Sequence, residues 1–289
     1  AYCNAGFDIL GFLKPDASLE LFVGDPLVCL TICCLIILGG IGFIVTVDLY
    51  NWGRKRVRKE ERRPHLTLHT RIVLVSTASL LVLGTVLTLG LEYDHTLKDL
   101  NFWEKLNASF FQSVTARTAG YATIPQGELG DATKLVTIIL MFIGASPSST
   151  GGGIKTTTFV VLVATVVSIS RGRDETVINK RRVDKSVVYR AMTIVAMAFL
   201  VIAITSGVIM VTTPPEVSAI DAVYEAVSAF GTVGLTTGLT PDLSIVAKIL
   251  VMLTMFIGRV GPISLVLALT MKHSGGPGKI LPEGKVIVG

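Results

Sequence analysis

Apolar residues run along this chain in long blocks separated by short polar stretches. Five blocks, roughly 26 to 49, 71 to 91, 134 to 169, 187 to 212 and 244 to 271, reach the length a bilayer core demands of a helix, about 20 mostly apolar residues. The polar stretches between them alternate in charge. Gly53 to Arg63 is strongly basic, and Arg171 to Arg190 carries seven Lys/Arg. The intervening connections hold Glu92, Asp94, Asp99 and Glu104 in one case and Glu216, Asp221 and Glu225 in the other. By the positive-inside rule the basic loops face the cytoplasm and the acidic connections face outside. The basic clusters are also available to anionic lipid headgroups.

Each outer connection contains a short helical pattern that does not reach across. Trp103 to Thr115 spans about 20 Å at 1.5 Å per residue, so it enters the membrane and returns. Ser218 to Phe230 is its counterpart, after Pro214 and Pro215 have stopped the preceding helix. Both short helices run into a glycine loop.

Those loops repeat. Gly6, Gly120 and Gly234 lie 114 residues apart, and Cys3-Asn4-Ala5-Gly6-Phe7, Arg117-Thr118-Ala119-Gly120-Tyr121 and Gly231-Thr232-Val233-Gly234-Leu235 align on one another. Phe142-Ile143-Gly144 and Phe256-Ile257-Gly258 keep the same spacing. The first copy has a connection about nine residues longer when Gly39-Gly40-Ile41-Gly42 is aligned with Gly144 and Gly258. The predicted unit is helix, re-entrant helix, glycine loop, helix. Non-helical backbone at membrane depth is tolerated only where protein buries it or a pore wets it, so several such loops around one axis suit an ion filter. Carbonyls there replace a cation's hydration shell, and each short helix aims its negative end inward. With no ring of Asp or Glu along the loops, the expected ion is monovalent.

Composition narrows the classes further. Half of the 289 residues are apolar and 16% are charged, against about 25% charged in soluble domains. A nucleic-acid-binding domain does not carry such spans, so no nucleic-acid partner is expected. Cys29, Cys33 and Cys34 sit in an apolar block and read as small hydrophobes, without zinc-site spacing. The opening Ala-Tyr-Cys-Asn-Ala-Gly has no signal-peptide features, and the numbering is read as starting inside a longer protein.

Within the third block, Gly144, Ser146, Pro147, Gly151, Gly152 and Gly153 cannot sustain an ordinary helix, which predicts a break at membrane depth. A phosphate-binding P-loop is excluded because Ile154 separates Gly153 from Lys155 and no strand precedes it. Arg259 lies centrally in the fifth block, where a charge costs about 2.5 to 3.5 kcal/mol on insertion scales. It is expected to face the pore or a partner. Lys155 is a weaker candidate of the same kind. Arg117 is expected to turn away from the axis and brace its loop. Ser146, Ser148 and Ser149 have no histidine placed by motif, so no enzyme is expected.

The loops Asn4-Ala5-Gly6-Phe7, Thr118-Ala119-Gly120-Tyr121 and Thr232-Val233-Gly234-Leu235 resemble the filter segments of the Trk/Ktr/HKT potassium transporters, in particular their bacterial KtrB-type membrane subunits. Ile143 to Thr156 resembles that family's interrupted inner helix, and Phe256 to Pro262 the segment bearing its intramembrane arginine. The resemblance implies a pseudo-fourfold, potassium-channel-like pore of which this chain holds the end of repeat two and all of repeats three and four. It divides the chain into 1–52, a basic loop 53–70, repeat three at 71–170, a basic loop 171–186, repeat four at 187–271 and a cytoplasmic tail 272–289.

By the same resemblance, potassium is the transported ion, with sodium as a coupling or activating ion, and no covalent cofactor is implied. The filter is Asn4 to Phe7, Thr118 to Tyr121 and Thr232 to Leu235. The gate is the segment from Gly144 to Thr158, with Lys155 and Arg259. A multi-pass protein of the bacterial plasma membrane is implied, a homodimer in contact with lipid and with a cytosolic nucleotide-binding ring of the KtrA/TrkA type. The pore subunit of an ATP-driven potassium pump and a non-conducting membrane assembly protein are the alternatives.

Overall fold

The computed structural model describes residues 1–8, 18–58, 65–214 and 217–261. The expected tail 272–289, the end of the fifth apolar block, residues 59 to 63 of the first basic loop, and Pro215 and Glu216 lie outside these. Among the described residues the regular structure is helical except for one small two-stranded hairpin. Among the described residues, two helices are each long and apolar enough to cross a membrane, α3 (Leu68–Glu92) and α7 (Lys185–Thr212). The short re-entrant helices are α4 (Phe102–Thr115) and α8 (Ala219–Gly231), within two residues of their predicted bounds.

The three remaining apolar blocks supply inner helices, and two of them break. The first block forms α1 (Pro26–Gly40) and α2 (Phe43–Val57), bent by 98°. This corrects the expectation of one continuous span over 26 to 49. The bend falls at Gly42, whose φ of 90° reverses the chain and whose missing Cβ makes room for the Pro147 carbonyl. The third block forms α5 (Asp131–Ile143) and α6 (Thr156–Ser170), with residues 144–155 non-helical between them as predicted. The fifth supplies α9 (Ile245–Val260).

Local chemistry sets the starts of these elements. Asn101 and Glu104 form a reciprocal capping box, Oδ1 of one taking the other's N–H and Oε2 returning the favour, both at 3.0 Å. Asp25, Thr67, Asp184 and Ser244 cap α1, α3, α7 and α9 with side-chain oxygens. The second basic loop carries a feature the sequence reading missed. Strands β1 (Val177–Ile178) and β2 (Arg181–Arg182) pair antiparallel around Asn179 and Lys180, both at positive φ, the geometry of a two-residue primed turn.

The outer surface differs from that of a soluble protein. Large apolar side chains stand outward on α3, α7 and α9, among them Val82, Phe199, Leu200, Ile249 and Phe256, while Thr70, Thr77, Thr88, Thr133, Thr137 and Thr205 are buried. That distribution suits lipid as the surrounding solvent, with small polar residues at helix contacts. Thr205 and Thr254 hydrogen-bond between α7 and α9 at 2.7 Å, and the Ser113 hydroxyl donates to Leu81 O from α4 to α3 at 2.9 Å. The main core gathers Met141, Tyr224, Phe230 and Ile209 where α8 is enclosed by α5, α7 and α9.

The repeat is visible in three dimensions. Gly258 of α9 packs on the carbonyl of Phe230, and Gly39 of α1 packs on the carbonyl of Tyr2. Tyr2 and Phe230 are two periods of 114 apart. These two inner helices thus use a glycine to lie directly against the backbone that enters their loops, whereas Gly144 of the third approaches Gly152 and Gly153 instead.

Candidate functional site

Three loops share one backbone signature. Asn4, Thr118 and Thr232 have φ of 49°, 73° and 49°, and two residues on, Gly6, Gly120 and Gly234 have φ of 66°, 87° and 90°. The residue between, Ala5, Ala119 or Val233, does not. Such alternation of handedness turns consecutive carbonyls toward one side, the geometry a ring of carbonyl ligands requires. Asn tolerates the left-handed conformation, but for the β-branched Thr it costs on the order of 1–2 kcal/mol, so surrounding structure must impose it at Thr118 and Thr232.

The loops converge. A Cβ on Gly6 would stand 2.5 Å from Ala119 O and 3.0 Å from Gly120 Cα, and one on Gly234 would stand 3.8 Å from Gly120 Cα. A Cβ on Gly120 would strike Val233 O. At the first position of each loop, Asn4 Oδ1 and Nδ2, Thr118 Oγ1 and Thr232 Oγ1 are buried with no hydrogen-bond partner among the described residues. Unpaired buried polar atoms are rare in folded proteins, and these three recur at the repeat period. Ala119 and Val233 are buried, while Ala5 and Phe7 of the first loop are exposed, with no re-entrant helix of the described residues backing them.

The re-entrant helices hold the second and third loops. Thr115 Oγ1 donates to Tyr121 O, and Ser228 Oγ donates to Leu235 O, each at 2.6 Å. Behind the third loop the buried Glu225 carboxylate accepts from the hydroxyls of Thr236 and Thr240 and from Thr237 N. Between the two units, Tyr224 donates to Gln126 Oε1 at 2.8 Å, and Gln126 and Gln112 exchange amide hydrogen bonds at 2.7 and 3.0 Å. Lys134 on α5 pairs with Asp221 on α8 at 2.8 Å. The sequence reading treated Glu225 and Asp221 only as markers of the outer side. What it missed is that both are structural, a fact signalled only by their places on a re-entrant helix.

The non-helical segment after α5 lies directly against these loops. Gly151 backs on Thr118 Oγ1, and Gly152 on Thr232 Oγ1 and Gly231 O, with no room for a Cβ at either. The segment folds onto itself: Ala145 N donates to Gly152 O at 3.4 Å, Ile154 N to Phe142 O at 3.3 Å, and Gly144 and Gly153 make the close backbone approach between its two limbs. Ser146 Oγ and Thr156 Oγ1 bond at 3.0 Å.

It is also tied to the broken end of α1. Ser146 N donates to Gly40 O at 3.0 Å, Thr150 N to Gly39 O at 3.3 Å, and Ser148 O accepts from Phe43 N at 2.9 Å. The carbonyls freed by one broken helix are thus met by donors from the other. Pro147 supplies the carbonyl that fits beside Gly42.

The three cations fall differently from one another. Lys155, at φ 69°, closes the segment by donating to Gly151 O. Arg259 is exposed on the last turn of α9, near enough to Lys155 for the two positive charges to interact, and makes no hydrogen bond to the segment among the described residues. Arg117 is buried between α1 and α3, beside Ile36, Leu81 and Ala145, with its Nε unpaired among the described residues. It packs there without the expected hydrogen bonds to its loop among the described residues.

Apolar helices enclosing re-entrant helices and backbone-lined loops make this a multi-pass membrane protein. The family model described as TrkH, cation transport protein, matches residues 1–276, and the chain belongs to that family. It is 38% identical over 291 residues to the Ktr system potassium uptake protein B of Bacillus subtilis (strain 168), and 38% identical over 295 residues to the potassium/sodium uptake protein NtpJ of Enterococcus hirae. In both cases the whole chain is covered and 62% of the relative, so the chain spans less than two thirds of their length. The crystal structure of the potassium transporter TrkH from Vibrio parahaemolyticus matches with a TM-score of 0.69 at 19% identity, covering 94% of this chain and 56% of that one, a likeness of fold.

Proposed function

We propose that the full-length protein carries potassium into the cell across the bacterial plasma membrane, through a filter lined by backbone carbonyls of residues 4–7, 118–121 and 232–235 and of a fourth, equivalent loop. The observation that carries this reading is the triple recurrence of alternating left-handed backbone with an unpartnered side-chain oxygen at Asn4, Thr118 and Thr232. Uncharged oxygens in convergent loops suit a weakly hydrated monovalent cation. The potassium uptake relative supports potassium, and the potassium/sodium relative supports sodium as a second or coupling ion.

In this reading the segment from Gly144 to Thr158 is the gate beneath the filter, and Lys155 and Arg259 place positive charge below it that opposes a resting cation. The division into 1–52, 53–70, 71–170, 171–186, 187–271 and 272–289 follows the repeats. The basic loops form the inner surface on which a cytosolic nucleotide-binding ring docks, and the protein works as a homodimer. Its role is transport and not an enzymatic reaction.

The test is Gly120→Ser in the full-length protein, reconstituted in vesicles with potassium and sodium fluxes measured. A side chain there strikes Val233 O, so potassium-over-sodium preference is expected to fall by about tenfold, the factor that 1.4 kcal/mol represents. Unchanged preference and flux would remove these loops as the filter.

A further inference from the structure

The break in the third inner helix opens a cavity of about 690 Å³ among α5, α6, α7 and α8. Phe142 at the end of α5, Ile154 in the non-helical segment and Phe159 at the start of α6 all line it, so every part of the break forms its wall. Phe199, Ala203 and Val227 close the far side, and Ser206 is the one polar residue among those lining it. A second cavity of about 370 Å³ adjoins it along α6, sharing Phe159, Val163 and Val167, and ends at Arg171 and Arg173. Neither arginine has an ion pair among the described residues. The nearby acids face elsewhere: Asp174 and Glu175 line a separate hollow toward α7, where Glu175 pairs with Arg182 at 2.9 Å.

We propose that an anionic phospholipid occupies this groove, with an acyl chain in the cavity beside the break and its phosphate on Arg171 and Arg173, and that it supports the broken helix in the position described. Size agrees, since sites for small organic ligands run from about 300 to 1,000 Å³. Length agrees as well. α6 has 15 residues and spans about 22 Å, enough to run from membrane depth to the headgroups of one leaflet. Charge decides the lipid class: two unpaired guanidinium groups at the mouth of an apolar groove complement a phosphodiester with no compensating amine. A zwitterionic lipid would bring its own cation to the same place.

Lipid retention by the purified full-length protein, followed by native mass spectrometry with phosphatidylglycerol and phosphatidylcholine, tests this. Arg171→Gln with Arg173→Gln, two exposed positions, is expected to weaken phosphatidylglycerol retention by roughly thirtyfold, the factor for two basic contacts of about 1 kcal/mol each. Ala203→Trp, which fills the cavity, is expected to abolish retention of that molecule. Wild-type retention by the double variant, or equal retention of phosphatidylcholine, overturns the proposal. So does efficient disulfide formation between cysteines placed at Ala203 and Leu267 in an otherwise cysteine-free protein, which would mean that the chain's own apolar segment fills the groove. Only the effect on gating rests on the transport reading. Retention is measured without flux, so loss of conduction with intact retention counts against transport alone.

Discussion

Glu225 accepts three hydrogen bonds from the segment that follows the third loop, and it does so from the interior of a re-entrant helix. Glu225→Ala removes the acceptor shared by Thr236, Thr237 and Thr240, which are exposed or half-buried and can turn to water, so the expected cost is the net worth of these hydrogen bonds, on the order of 1 kcal/mol. Thermal unfolding of the purified full-length protein is expected to move down accordingly. Glu225→Gln, whose amide oxygen still accepts, should move it less. An alanine variant that unfolds with wild type would show that the carboxylate does not hold this loop. Residue types announced the loops themselves, because glycine at positions 6, 120 and 234 is what a left-handed backbone favours. They did not announce that Asn4, Thr118 and Thr232 adopt the same handedness, since side chains pay for it only under tertiary constraint.

The element that concentrates the unusual geometry is the segment between α5 and α6. It rests on Thr118 and Thr232 above and on the Gly39 and Gly40 carbonyls beside it, so its position depends on three repeats at once. Deleting Ser146 to Thr150 removes the donors of Ser146 and Thr150 as well as the bulk. Ion flux in reconstituted full-length protein is expected to rise with filter selectivity unchanged. Thr150→Val, which loses only the hydroxyl contacts to Gly39 O at 3.2 Å and Tyr2 O at 3.3 Å, should give a smaller rise. Flux and regulator dependence identical to wild type in a well-expressed deletion would place the gate elsewhere. α4 offers a contrasting element governed by local chemistry. Asn101→Ala removes one side of its capping box and is expected to cost about 1 kcal/mol of stability, read as a lower unfolding midpoint.

For the molecule as a whole, the charge of the connections sets the orientation, and α3 and α7 run from the basic side to the acidic side. Single cysteines at Glu104 and Arg182, in a cysteine-free full-length protein in intact cells, separate the two faces. A membrane-impermeant maleimide is expected to label the first without lysis and the second only after lysis. The reverse pattern would invert the proposed topology and move the lipid groove to the outer leaflet.

The spans that form α3 and α7, the two re-entrant helices, the interrupted third block and the 114-residue repeat were legible in the sequence. Lipid cannot hydrogen-bond backbone, so apolar length and local breakers determine where helix must persist and where it can fail. The 98° bend at Gly42 was not legible, although Gly39 to Gly42 could be aligned with the other inner helices. Its cause is Pro147 and Ser148, more than a hundred residues further along. The same holds for Glu225 and the Tyr224, Gln126 and Gln112 chain, where the partners lie on other elements. Arg259 was singled out as a charge within an apolar block, and the structure brings the like charge of Lys155 within interaction range of it. Pattern along the chain determined which segments are helix and which are loop. Which freed carbonyl meets which donor was decided only when the repeats closed around one axis, because that pairing is set by distance in space and leaves no period in the sequence.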